Sequence, residues 1–201
     1  MKRPTRNLAR TSLRPGVIRL LASASAGAAV LSGSLLAGGA ATAHDGETSA
    51  GGAATHSRDG AGRQLAALKK SLAVYQDVSA AEAAGFVPVS GCEASDEGAM
   101  GVHYLNPGRA AQAPDATKPS ILLYAPTSDG GMRLLGAEWF QADADQDVHT
   151  DADRPTLFGQ PFDGPMPGHN PMMPVHYDLH VWLFDSNPAG VFAPWNPSVH
   201  C

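Results

Sequence analysis

The chain lacks the short motifs that mark the commonest catalytic chemistries. It has no G-x-S-x-G nucleophile elbow, no phosphate-binding glycine loop and no H-E-x-x-H pair. Serine-nucleophile and nucleotide chemistry are therefore unsupported. Internal repeats are also missing, and beyond the N-terminal region no stretch is long and apolar enough to span a bilayer. Basic residues are scarce after position 19. Six of the fourteen lie at or before it, which leaves eight against nineteen acidic ones and a net charge near −11 for the remainder. That balance disfavours nucleic acids and anionic membrane surfaces as partners. Cysteine is limited to Cys92 and Cys201.

What is present begins with an export signal over residues 1–43. Lys2, Arg3, Arg6, Arg10, Arg14 and Arg19 form its basic region, an uncharged stretch rich in Leu, Ala, Gly and Ser follows, and Ala41-Thr42-Ala43 supplies an A-x-A cleavage site. No adjacent arginine pair points to the twin-arginine route. Cleavage near Ala43 would deliver the chain to the periplasm, the cell wall or the exterior, with no membrane attachment left. In such an oxidising compartment the expectation is a Cys92–Cys201 disulfide. It would pin the C-terminus to the start of the folded domain, and a loop of that size is worth roughly 4–5 kcal/mol in the chain-entropy picture. The alternative makes Cys201, beside His200, a metal ligand.

Residues 44–60 are small and polar and read as a disordered linker, which leaves 61–201 as a single domain. Arg63–Val78 has apolar residues at Leu65, Leu68, Leu72 and Tyr75, a helical spacing. Ser79 with Glu82 reads as a capping box that starts a short helix, which Gly85 stops. From Phe86 the pattern turns to strands: Phe86–Val89, Gly101–Leu105, Ser120–Ala125, Met132–Gln141 and Val175–Phe184. Ser128-Asp129-Gly130-Gly131 reads as a hairpin loop between the third and fourth. Helices first and antiparallel strands after predict an α+β fold, with N-terminal helices packed on a mainly antiparallel sheet or partial barrel. The segment from Ala142 to Pro174 shows no periodicity and is read as a long loop.

The segment Val175–Phe184 is the most informative part of the chain. As a strand it places His176, Asp178, His180 and Trp182 on one face, and Val175, Tyr177, Leu179, Val181 and Leu183 on the other. The second set is core. The first puts imidazoles and a carboxylate on rigid scaffold. His103 and Glu138 also fall inside strands; His103 shares a face with Gly101 and Leu105, and Glu138 with Leu134, Gly136 and Phe140. A carboxylate on an apolar face is costly to bury unless it is paired, protonated or metal-bound. His103, Glu138, Asp178 and His180 are therefore the candidate ligand set. Asp178 and His180, two apart, lie about 6–7 Å from each other on one face, whereas His176 and His180 are roughly 13 Å apart. Two imidazoles and two carboxylates suit zinc, iron or manganese. The competing reading is a buried hydrogen-bonded network without a metal.

Three further readings stay open. Met166-Pro-Gly-His169-Asn-Pro-Met172-Met173-Pro-Val-His176 offers thioether and imidazole donors that suit copper handling. The sheet could instead enclose a pocket for a small apolar ligand, lined by Trp139, Trp182 and Phe184, or serve a structural role. The run from Asp143 to Asp153 alternates like a calcium loop. It has Val148 where an EF-hand needs Gly and Arg154 where it needs Glu, and is read as a solvated loop.

Taken together, Tyr75-Gln-Asp-Val, Ala83-Ala-Gly-Phe86-Val-Pro, Gly98-Ala-Met-Gly-Val-His103-Tyr, Gly136-Ala-Glu138-Trp-Phe, Tyr177-Asp-Leu-His-Val-Trp182, Asn187-Pro-Ala-Gly190 and Trp195-Asn196 resemble a family of exported bacterial proteins with no established activity. The likeness covers nearly all of residues 65–201. It implies a pattern of His103, Glu138, Asp178 and His180, with His176 outside it, and it implies no particular reaction, substrate or protein partner.

Overall fold

The computed structural model describes the backbone of residues 50–201 and the side chains of residues 59–201. The expected export signal and the start of the expected linker lie outside the described residues. The described residues belong to one compact unit.

Helix α1 (Ala50–Leu72) begins earlier than the apolar spacing predicts, in the stretch whose composition reads as a linker. It buries Leu68 and Leu72 and runs into a 3-10 turn, Ala73–Gln76. Helix α2 (Val78–Ala83) is capped by Asp77, whose carboxylate accepts from the Ser79 amide at 3.0 Å. The cap therefore lies two residues before the expected Ser79. Asp77 takes it because its side chain reaches the first free amides of the turn. Gly85, at φ 88°, ends the helix as expected, with the Phe86 and Gly85 amides returning to the Ala81 and Glu82 carbonyls. Phe86 is fully buried just beyond this stop.

The rest of the chain builds a six-stranded antiparallel sheet that curls into a half-barrel, so the molecule is α+β. In chain order the strands are β1 (Val87–Ser95), β2 (Gly98–Leu105), β3 (Ile121–Pro126), β4 (Met132–Ala142), β5 (Thr156–Leu157), β6 (Gln160–Pro161), β7 (Asp163–Met166) and β8 (His176–Trp182), with a four-residue helix α3 (Pro107–Ala110) after β2. The sheet order is β1-β2-β3-β4-β8-β7, and β5 and β6 pair separately. The Ser128–Gly131 hairpin joins β3 to β4. The segment read as a long loop holds three short strands, one of which, β7, forms an edge of the sheet. Its Pro and Gly content hides them because pairing there is short and irregular.

Each face of the sheet carries its own core. Leu68, Leu72 and Phe86 from the helical side pack on Tyr104, Leu122, Tyr124, Trp139, Tyr177 and Leu179. The Tyr124 hydroxyl donates to the Tyr75 carbonyl at 2.6 Å and ties the helical segment to β3. On the other face Ile121, Leu123, Leu135 and Trp182 pack under Val199 from the C-terminal segment. That segment is anchored three ways. Asn196, fully buried, exchanges backbone hydrogen bonds with Ala99. Its side-chain amide donates to the Ser186 carbonyl at 3.2 Å. The Cys92–Cys201 disulfide, with Cα atoms 5.7 Å apart, then fastens the last residue to β1.

Candidate metal centre

β8 is buried along its whole length, and its two faces divide as the alternation predicts. Tyr177, Leu179 and Val181 join the helix-side core, which leaves His176, Asp178, His180 and Trp182 on the opposite face. Glu138 of β4 pairs directly with His180. His103 of β2 is two strands from Glu138, and its pairing row runs through Leu123 and Gly136 to Trp182. Gly136 adds no side chain to that row, so the His103 ring reaches across it to the carboxylate.

The row is set by a bulge. Leu123 opposes Gly136 while Tyr124 opposes Leu134, so Leu135 is an extra residue on β4. Glu138 therefore does not share a face with Leu134, against the expectation from strict alternation. Leu134 lies in the helix-side core, and Leu135 takes its place beside the site. Close strand approach fixes this arrangement, because a Cβ on Gly136 would overlap the Val181 carbonyl. Ser120, buried at the start of β3, accepts from the Phe140 amide at 2.9 Å and donates to the Glu138 carbonyl at 3.4 Å. It holds the β4 backbone on both sides of the carboxylate.

Three of the four expected ligands converge. Ligand atoms of His103, Glu138 and His180 all lie within 4.8 Å of one another, a group that could hold a metal ion. Glu138 Oε2 is 3.2 Å from His103 Nε2 and 3.5 Å from His180 Nε2. Asp178 stands behind His180, its Oδ1 3.6 Å from Nδ1, with Oδ2 3.9 Å from His176 Nε2. His176 is turned away from the triad, stacked on Phe140 and edge-on to His169.

The polar atoms at this centre are buried and largely unsatisfied. Glu138 Oε2, both ring nitrogens of His180, Asp178 Oδ1 and His176 Nε2 have no hydrogen-bond partner among the described residues. Buried polar groups are normally paired, and a group of orphans like this one could hold a metal ion. Ser90 sharpens this point. Its hydroxyl donates to the Gly91 carbonyl at 2.7 Å and accepts from the His103 amide at 3.1 Å. With that single proton given to a carbonyl, His103 Nδ1, 3.0 Å away, is the donor to Ser90 Oγ. Ser90 thereby orients the ring, and Nε2 is the nitrogen that faces Glu138, at 3.2 Å.

The titration properties agree. Burial works against ionisation of Glu138, but the His180 and His103 charges outweigh it and hold the carboxyl below its usual range. Burial likewise opposes charging of His180, yet Glu138 and Asp178 overcome it and raise this imidazole to about 9. His176 moves the other way, because burial dominates and lowers it. Without a metal, His180 is thus an imidazolium clamped between two carboxylates.

Ser90 carries no obvious signal in the sequence. Its position depends on the irregular pairing of β1 between Pro88 and Cys92. The other sequence readings fare differently. Met172 is 90 % exposed and His169 is also exposed, so the Met and His loop presents no gathered set of buried donors. Trp139 and Trp182 sit on opposite faces of the sheet and line no common pocket. A cavity of about 430 Å³ does exist beside Gln76, Met132, Arg133 and Phe184, but it touches none of the triad. No helix among the described residues is long and apolar enough to cross a membrane. No protein-family model, curated protein or solved structure matches the chain.

Proposed function

We propose that the protein is an exported divalent-metal-binding protein whose ion is held by His103, Glu138 and His180. One observation carries this reading: nitrogen and oxygen donors from three separate strands meet within 4.8 Å, and the central ones are buried without partners. Two imidazoles and one carboxylate are a borderline donor set that suits zinc, iron(II) or manganese. Asp178 would accept from His180 Nδ1, and Ser90 Oγ from His103 Nδ1, so that both rings present Nε2 to the ion. Three protein ligands leave a further position for water or a small ligand, and a bound ion acidifies such a water. Glu138 and His180 side chains are only 5 % and 1 % exposed, and His103 14 %. That enclosure favours holding an ion over turning over a large substrate. The export signal and the disulfide support a site loaded outside the cytoplasm.

The test is metal analysis of protein purified without added metal, followed by titration with zinc, manganese and iron(II). We expect one ion per chain, lost in His180→Ala and in the less buried His103→Ala. Metal-free protein whose thermal stability ignores both chelator and added ions would overturn the reading.

A further inference from the structure

The segment between β4 and β5 holds a second group of carboxylates, independent of the triad. Asp145, Asp147, Asp151 and Asp153 are exposed, as the sequence leads one to expect. Asp143 is not: it is 2 % exposed, and both of its carboxylate oxygens are buried without a hydrogen-bond partner. Its neighbours are satisfied by the chain. Asp145 accepts from the Asp147 amide at 3.0 Å and the Thr150 hydroxyl at 2.7 Å. Asp153 accepts from the Ala144 amide and the Tyr177 hydroxyl, each at 2.9 Å. The charges acting on Asp143 come from Asp145 and Asp153, both anionic, with the Tyr177 hydroxyl beside them. The nearby guanidinium of Arg154 pairs through one terminal nitrogen with Asp151 at 3.2 Å, lies over the Tyr177 ring and keeps its Nε without a partner.

A buried carboxylate that bears the charge of two neighbouring carboxylates calls for a proton or a cation. We propose that Asp143, Asp145 and Asp153 form a second cation site that takes a hard divalent ion, calcium. The donors are all oxygen, which favours hard ions over the softer ones that suit imidazole. Calcium accepts six to eight oxygens in irregular geometry, whereas magnesium demands a near-ideal octahedron. The left-handed turn that folds the loop back falls at Gln146, at φ 60°, whose side-chain Nε2 donates to the Val175 carbonyl while Oε1 accepts from the Val175 amide. The loop thereby closes on Asp153, one residue short of the EF-hand spacing, which is why the comparison with Val148 and Arg154 misses it. Unlike the triad, the three carboxylates do not all lie within 4.8 Å of one another, so binding draws the exposed Asp145 inward.

Burial first, and then the charges of Asp145 and Asp153, hold the Asp143 carboxyl above the usual carboxylate range. A proton shared among these acids is the competing occupant, and one experiment separates the two. Full-length protein stripped with chelator is titrated with calcium chloride, and in parallel with magnesium chloride, by calorimetry and thermal unfolding. We expect one calcium per chain with Kd of roughly 10⁻⁴ to 10⁻³ M, the range of extracellular modules. Magnesium should bind more weakly. Asp145→Asn, on an exposed side chain, should weaken calcium at least about tenfold, and Asp143→Asn should abolish the calcium-dependent rise in Tm. Glu138→Gln should leave calcium binding intact. Absence of any calcium response up to about 10 mM, well above that range, overturns the proposal. So does wild-type calcium affinity in Asp145→Asn, or an Asp143→Asn protein that is more stable than wild type while wild type ignores calcium.

Discussion

At the residue scale the account rests on Glu138 and the two imidazoles that face it. A buried carboxylate stays ionised only while positive charge lies beside it, and here that charge is either His180 or a metal. The metal-free protein should therefore show a defined pH profile. His180 is raised from 6.5 to about 9, so the stability it contributes is full below pH 6.5 and is lost as pH rises through about 9. Glu138 is lowered from 4.5, so its contribution is present above that pH and is lost on acidification. His176, lowered from 6.5, also contributes above its ordinary value and is lost below it. Chemical denaturation in chelator should then show stability falling between pH 6.5 and 9.5, a window bracketing the His180 shift. Saturating metal should abolish or reverse that fall, because ligands must be deprotonated to bind. A flat profile in chelator would contradict the assignment.

Ser90 and Asp178 are the orienting partners at this scale. Ser90→Ala and Asp178→Asn should each weaken metal affinity by about 10–100-fold, the usual effect of losing an outer hydrogen bond to a ligating histidine. Calorimetric zinc titration checks this. Asp178 also shows what spacing alone can resolve. Two residues apart on one strand, Asp178 and His180 are bound to share a face, but only the path of β2 decides which of them meets Glu138 and His103.

At the element scale the bulge on β4 and the glycine beside it decide whether the centre forms. Gly136 lies against the β8 backbone, so Gly136→Ala must push the two strands apart. We expect destabilisation of about 2 kcal/mol or more, in the range of overpacked and strained sites, together with loss of metal binding. Denaturant unfolding and metal titration of the same variant measure both. The disulfide acts differently, since it fastens the C-terminal segment across β1 and carries no ligand. Cys201→Ser should cost roughly 4–5 kcal/mol by the loop-entropy argument while leaving the triad's metal stoichiometry at one per chain.

Element by element, legibility followed periodicity. The two faces of β8, the β3–β4 hairpin and the Gly85 stop were readable because alternation and turn chemistry are local. The extra residue at Leu135 was not, since a bulge shifts the pattern by one without changing composition. The strands inside 142–174 were hidden by Pro and Gly, and the reach of β1 past Val89 to Ser90 by Gly91 and irregular pairing. The solvated reading of the acidic run holds for Asp145–Asp153 as exposed groups and fails at Asp143, where the chain turns back toward β8 and buries the carboxylate.

At the scale of the whole molecule, helices cover one face of the curled sheet, and the other is divided between a C-terminal apolar pack and a polar centre. This division explains how one domain-sized sheet keeps ionisable groups inside. Strong hydrophobic burial on the helical side holds the strands, and the polar side is left free to gather charge. The measurement that tests this most directly is a crystal structure of metal-loaded protein with anomalous scattering collected at the absorption edge of the bound ion. The account predicts one strong peak about 2.0–2.2 Å from His103 Nε2, a Glu138 carboxylate oxygen and His180 Nε2, the ordinary bond lengths for such ligands. A protein that loads metal but shows its peak at His169 and His176, or on the surface, would contradict it.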